Sequence, residues 1–261
     1  MLLLLCGKPT GKPKYNYPFC HGTAPFEEPG TLYTIGDLYL WHQKFLESGA
    51  RSKDQQHFQN LVNSPLITGP EDLPVLSLLN CPSLHILIGV VNKLIKEMEN
   101  NVFSSQTEGK TWMESFLKRM HIARKKKQGN NDLEGNQSRD FLRCIDKLEV
   151  LLMRECPDRI VEAMPYIVVL KAFDKVVHSC FGVTLVEGYK ENITMFSKLY
   201  RELGITVTPK VQHITDFMAL KGEAAGLGFY SEQAMESVHQ DFKVILRAVH
   251  ISMDTRMLHE T

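Results

Sequence analysis

Between Leu84 and Met98, apolar residues return at steps of three and four: Leu84, Leu87, Ile88, Val91, Leu94, Ile95 and Met98. At 3.6 residues per turn these positions form one apolar stripe, and the spacing predicts a helix over 83–99 with Ser83 as its N-cap. The same periodicity predicts helices over 37–48, around Leu38, Trp41 and Phe45, and over 110–123, with Trp112, Phe116, Leu117 and Met120 inward. Further helices are expected over 139–154 and 158–181, the second kinked or split near Pro165. Ile193, Phe196, Leu199, Tyr200 and Leu203 define another, which Gly204 ends. A last helix starts near Ser231, with Met235, Val238, Phe242, Ile245, Leu246 and Val249 on its buried side. Strand candidates are few: Leu2–Cys6 and Val183–Val186. The expected fold class is mainly α.

Prolines and glycines punctuate this pattern. Residues 7–36 carry Pro9, Pro13, Pro18, Pro25 and Pro29 among five glycines, which forbids long helices and leaves room only for short edge strands. Residues 128–138 form a second turn-rich break. A chain of 261 residues with 43% apolar and 23% charged residues can bury a core as one large or two small domains. Its formal charge is zero, so contact with nucleic acid must come from local patches. Six scattered cysteines with no Cys-x-x-Cys pair read as thiols in a reducing compartment. No run approaches the ~20 apolar residues of a membrane span. Met1–Cys6 is too short for a signal peptide and reads as a chain that starts within a fold. The expectation is a soluble intracellular protein, nuclear or cytoplasmic, with no membrane partner.

Few residue sets point to chemistry. Phosphate loops, nucleophile elbows and His-Glu-x-x-His pairs are absent, and the glycine-rich Gly222–Gly228 lacks a dinucleotide fingerprint. Lys118, Arg119, Arg124, Lys125, Lys126 and Lys127 place six permanent positive charges in ten residues. Such a cluster neutralises several phosphates with salt-dependent, sequence-indifferent affinity. It also suits a solvated helix C-terminus or a nuclear-targeting run. Arg139 and Arg143 extend it, and Lys8, Lys12 and Lys14 with Tyr15 and Tyr17 form a weaker patch. His85 sits beside Leu84, either as a half-buried core histidine or near a DNA path. Glu232 opens the last helix, where a carboxylate is favoured by the helix dipole.

An ordered series of landmarks carries more. These are Tyr17-Pro-Phe-Cys20, then Leu84-His-Ile-Leu-Ile-Gly89, then Gly135-Asn-Gln-Ser-Arg139. They are followed by Val211-Gln-His-Ile214 and Gly228-Phe-Tyr-Ser-Glu232, the last pair of segments placing Glu232 19 residues after His213. Over roughly 15–245 the order resembles the DDE transposases related to the V(D)J recombinase, the recombination-activating protein and its Transib relatives. The resemblance implies an RNase H-like core interrupted by a helical insertion, here with most of the sheet missing. It makes Glu232 the vestigial last member of an Asp, Asp, Glu set that holds Mg2+ or Mn2+ for phosphoryl transfer. Met1 then falls just past the second aspartate, and residues 1–36 hold no Asp and only Glu27 and Glu28 as acids. The resemblance also makes Cys20 and His213 ligands of a structural zinc. That zinc site is incomplete, because Tyr17 stands where the partner thiolate belongs and Thr208 where a second histidine belongs. Descent requires Cys20 and His213 to approach each other despite their separation in sequence, and Glu232 to face the place of the missing sheet.

Three segments follow from this alignment: a loop-rich remnant of the core and zinc segment over 1–36, a helical insertion over 37–204, and a zinc and catalytic-helix segment with tail over 205–261. The expected function is that of a transposon-derived, catalytically inactive DNA recombinase fragment with residual nucleic-acid binding. It would self-associate through apolar surface that a sheet no longer covers. The alternatives are a non-catalytic helical protein-interaction domain unrelated to transposition, and a nuclease completed by a separately encoded N-terminal half.

Overall fold

The computed structural model describes residues 5–9, 17–21, 31–78, 82–127, 130–220 and 226–230. The predicted helix from Ser231, Glu232 with it, and most of the Leu2–Cys6 segment lie outside those residues. Within them the fold is mainly helical, with one two-stranded hairpin.

The first helix, α1 (Ile35–Glu47), starts in a capping box. The Asp37 amide donates to the Thr34 hydroxyl at 3.1 Å, and the Thr34 amide donates back to the Asp37 carboxylate at 2.9 Å. A 3-10 segment (Ser52–Phe58) and the short α2 (Val75–Leu78) lead to α3 (Ser83–Asn101), the helix the apolar stripe predicts. Its N-cap is Pro82 and not Ser83, which is the first helical residue and makes no side-chain cap. Ile86, Leu87, Val90, Val91, Leu94, Ile95 and Met98 are all buried in α3. The next helix, α4 (Gln106–Arg119), begins four residues before its predicted start. There the Ser105 hydroxyl accepts from the Glu108 amide and sets the boundary. It ends where His121 takes a positive φ of 57°.

The turn-rich break is a hairpin, β1 (Lys125–Lys127) against β2 (Asn130–Asp132). Buried Asn92 of α3 fixes the exit from it. Its amide group donates to the Leu133 carbonyl at 2.9 Å, and its carbonyl accepts from the Leu133 amide at 2.8 Å. What periodicity reads as one helix over 139–154 is two, α5 (Gly135–Arg143) and α6 (Ile145–Glu155), separated at Cys144 with φ −102° and ψ 8°. The long α7 (Ile160–Cys180) follows a 3-10 turn (Pro157–Arg159) and runs through Pro165 unbroken. Val183–Val186 is a loop and not a strand.

Two more helices complete the described residues, α8 (Tyr189–Glu202) and α9 (Pro209–Leu220). The sequence reading lacks α9, although Thr208-Pro209 is a helix-start signal. The central α3 touches α4, α5, α7 and α9, while α7 packs along α8. One apolar cluster runs from Cys6 to Leu227. No described helix is long and apolar enough to cross a membrane.

Candidate functional site

Two segments singled out in the sequence, residues 17–21 and the helix of His213, meet in the core. Residues 17–21 and 31–35 lie side by side: the Tyr33 amide donates to the Phe19 carbonyl at 2.8 Å, and the His21 amide to the Thr31 carbonyl at 2.9 Å. This pairing turns Tyr17, Phe19 and Cys20 into the core, each 2% exposed or less. From the other end of the chain, α9 brings Val211, Gln212, His213 and Ile214, all buried. The Tyr17 hydroxyl lies 3.3 Å from His213 Nδ1, across 196 positions of sequence. The Phe19 and His213 rings stand 5.2 Å apart.

Under Tyr17 sits a lysine. Lys8 is fully buried, donates from Nζ to the Tyr17 carbonyl at 3.0 Å and to the Tyr33 hydroxyl at 3.2 Å, and lies over the Tyr33 ring at 4.4 Å. Tyr33 in turn donates to Gln59. Burial lowers the proton affinity of Lys8 to a pKa of about 7, against the opposing pull of the Cys6 and Cys20 thiols. Burial also pushes Cys6 up to about 11 and His213 down to about 3. Each group is therefore held toward its neutral form. Within the described residues His213 Nε2 has no hydrogen-bond partner.

These residues do not fit zinc. A structural zinc wants four thiolate or imidazole ligands. Here the Tyr17 phenol sits on Nδ1 of His213, and the Lys8 amine is buried near the Cys6 and Cys20 thiols. Among the described residues no three His, Cys, Asp or Glu side chains converge to hold a metal ion.

The glycines of the landmarks mark close approaches. A Cβ on Gly89 would stand 2.2 Å from the Lys210 side chain of α9, and one on Gly135 would stand 2.2 Å from Leu84. Gly226 and Gly228 lie against the backbone at the end of α7: added Cβ atoms would meet the Gly182 carbonyl at 2.2 Å and the Phe181 carbonyl at 2.4 Å. The Gly226 and Gly228 amides donate to the Val183 and Gly182 carbonyls. Thus the Leu84–Gly89 segment touches both the Gly135 turn and the helix of His213. The approach to Glu232 docks on α7.

The basic cluster divides. Arg124 turns inward onto Glu99, which is 2% exposed; Arg119 pairs with Glu155 and Lys125 with Glu134. Arg119 and Arg154 hold the Glu155 carboxyl below its usual range. Lys118 is exposed and lines a groove of about 480 Å³ with Glu114, His121 and Arg124. The side chains of Lys126 and Lys127 lie outside the described set. Arg139 and Arg143 line a separate cavity of about 330 Å³ with Asp174 and His178. His85 is exposed on the first turn of α3, not half-buried.

Sequence reasoning missed Lys8 as a core residue and treated it as part of a surface patch. No local signal could have found it, because its acceptors are Tyr17 and Tyr33. Compared with known protein families and with characterised proteins, the chain matches none.

Proposed function

We propose that this chain derives from a DNA transposase of the V(D)J recombinase type, and that it binds nucleic acid without cutting it. The observation that carries the reading is the meeting of Tyr17 and Phe19 with His213. Shared descent requires Cys20 and His213 to approach each other; the segment of Cys20 lies against His213 through Tyr17 and Phe19, and an unrelated helical bundle has no reason to join them. The contacts among Gly89, Lys210, Gly135 and Leu84 support it, because landmarks ordered along the sequence are also neighbours in space. Within these 261 residues only Glu232 corresponds to a member of the three-acid set, and one carboxylate cannot hold two divalent cations beside a phosphodiester.

Binding falls to the basic run: the exposed Lys118 and Lys125, with Lys126 and Lys127 next to them in sequence, would touch phosphates, while Arg124, committed to Glu99, would not. The test is generic duplex DNA titrated across salt with the wild type and with Lys118, Lys125, Lys126 and Lys127 changed to Ala. Weaker binding and a salt slope reduced by up to about one per lost contact are expected. Unchanged affinity and slope would remove this surface. Mg2+-dependent cutting that vanishes in Glu232→Gln would overturn the inactive reading.

A specific feature favours the protein-interaction reading. Val150 and Met153 of α6 and Val161 and Val168 of α7 are exposed, Val161 by 77%. If this surface binds protein or a second copy, sedimentation will show concentration-dependent mass, and Val161→Glu will abolish it. A monomer at all concentrations speaks against self-association.

A further inference from the structure

We infer that the junction of residues 5–9, 17–21 and α9 is closed without a metal ion, with the Tyr17 phenol spanning the gap that a thiolate–zinc–histidine bridge would otherwise span. It goes beyond the proposed function and depends on that resemblance only for the ion being replaced.

The argument rests on how the buried groups are used. A zinc bridge joins two segments through one cation and short ligand bonds, about 2.3 Å to sulfur and 2.0–2.1 Å to nitrogen. The tyrosine side chain is much longer than a cysteine side chain. From a position where a cysteine would need an ion to reach the histidine, it reaches Nδ1 directly, at 3.3 Å. The bridge therefore joins the same two chain segments with a hydrogen bond and an aromatic body. Phe19 packs edge-on against Tyr17, with ring centroids 5.2 Å apart and planes at 78°. It also lies against His213, so apolar contact surrounds the bond.

Lys8 completes the replacement. Its amine lies in the same buried region as Cys6 and Cys20 and ties the Tyr17 carbonyl to the Tyr33 hydroxyl. Charged or neutral, the amine keeps at least two N–H donors, so both bonds survive either state. In its charged form it would repel a divalent cation placed beside it. A chain built this way folds on its own, unlike small domains whose folding free energy is the metal-binding free energy.

The experiment combines metal content with melting. Protein purified with zinc present throughout is assayed by elemental analysis, then melted with and without a strong chelator. No stoichiometric zinc and an unmoved melting midpoint are expected. Tyr17→Phe removes only the hydroxyl and leaves a buried imidazole without its partner, so its midpoint should fall by about 2–6 °C. One zinc per chain, with a chelator-induced fall in midpoint, would overturn the inference. So would a Tyr17→Phe midpoint equal to that of the wild type. Should Tyr17→Phe fail to fold, the wild-type chelator melt decides alone. Loss of DNA binding touches the proposed function and leaves this result standing.

Discussion

Acid should destabilise this protein through His213. The ring is fully buried against Phe19, has the Tyr17 hydroxyl 3.3 Å from Nδ1, and has its pKa pushed down from 6.5 to about 3 by burial. The folded state therefore refuses a proton that the unfolded chain accepts. Below pH 6.5 the unfolded state binds more protons, so stability is complete above that value and is lost as pH falls toward 3. A tenfold difference in proton affinity between the two states is worth about 1.4 kcal/mol, so His213 alone removes roughly 2 kcal/mol by pH 5 and roughly 3 kcal/mol by pH 4. That is a large part of the ~5–15 kcal/mol typical of a domain. The assay is urea denaturation of the wild type and of His213→Gln at pH 7.5 and at pH 5. The other nine histidines and all the carboxylates are common to both proteins, so they cancel in the difference of differences. The wild type should lose roughly 2 kcal/mol more than the variant over that interval. Parallel losses would refute the reasoning, as would a folded-state imidazole assigned to His213 that titrates near pH 6.5. The second readout holds even if the variant does not fold.

On the alkaline side stability should go on rising with pH. Lys8 is lowered from 10.5 to about 7, so the wild type should gain roughly 1–2 kcal/mol between pH 7 and pH 8.5, before Cys6, raised from 9.0 to about 11, begins to oppose it. Denaturation curves of Lys8→Met should be flat over that interval, and an equal rise in the variant would exclude Lys8 as the source. Gly109→Ala sets two effects against each other: helix propensity gains about 1 kcal/mol, but the new Cβ would stand 2.2 Å from the Glu99 carbonyl of α3. Backbone cannot swing aside as a side chain does, so overpacking should win by about 1–3 kcal/mol, and a more stable variant by urea melt would show that α3 and α4 are not so closely apposed.

The helices were legible because burial leaves a period in the chain. Leu84–Met98 had to be a core helix whatever surrounded it, since an apolar stripe at helical spacing has no other low-energy use. Local chemistry also wrote some boundaries into the sequence: Ser105 before α4, Thr208-Pro209 before α9, and the Thr34–Asp37 box before α1. Only the last needed no correction beyond two residues, and α9 went unread because its buried face includes Gln212 and His213 and so lacks an apolar pattern. The break at Cys144 was invisible, because apolar spacing continues across it.

Electrostatics were the least legible. A run of cations reads as a surface whichever way its members turn. Only the approach of α3 carries Glu99 to Arg124, and only the close of the fold carries Lys8 beneath Tyr17. By itself the sequence determined a helical chain, the helix that lies at its centre, and the residue types available at each landmark. Tertiary structure decided which of those residues meet, because contacts across as many as 196 positions depend on how the helices stack and leave no periodic trace in the chain. It thereby placed a phenol, an imidazole and an amine in one buried junction, where desolvation sets their protonation and their chemistry.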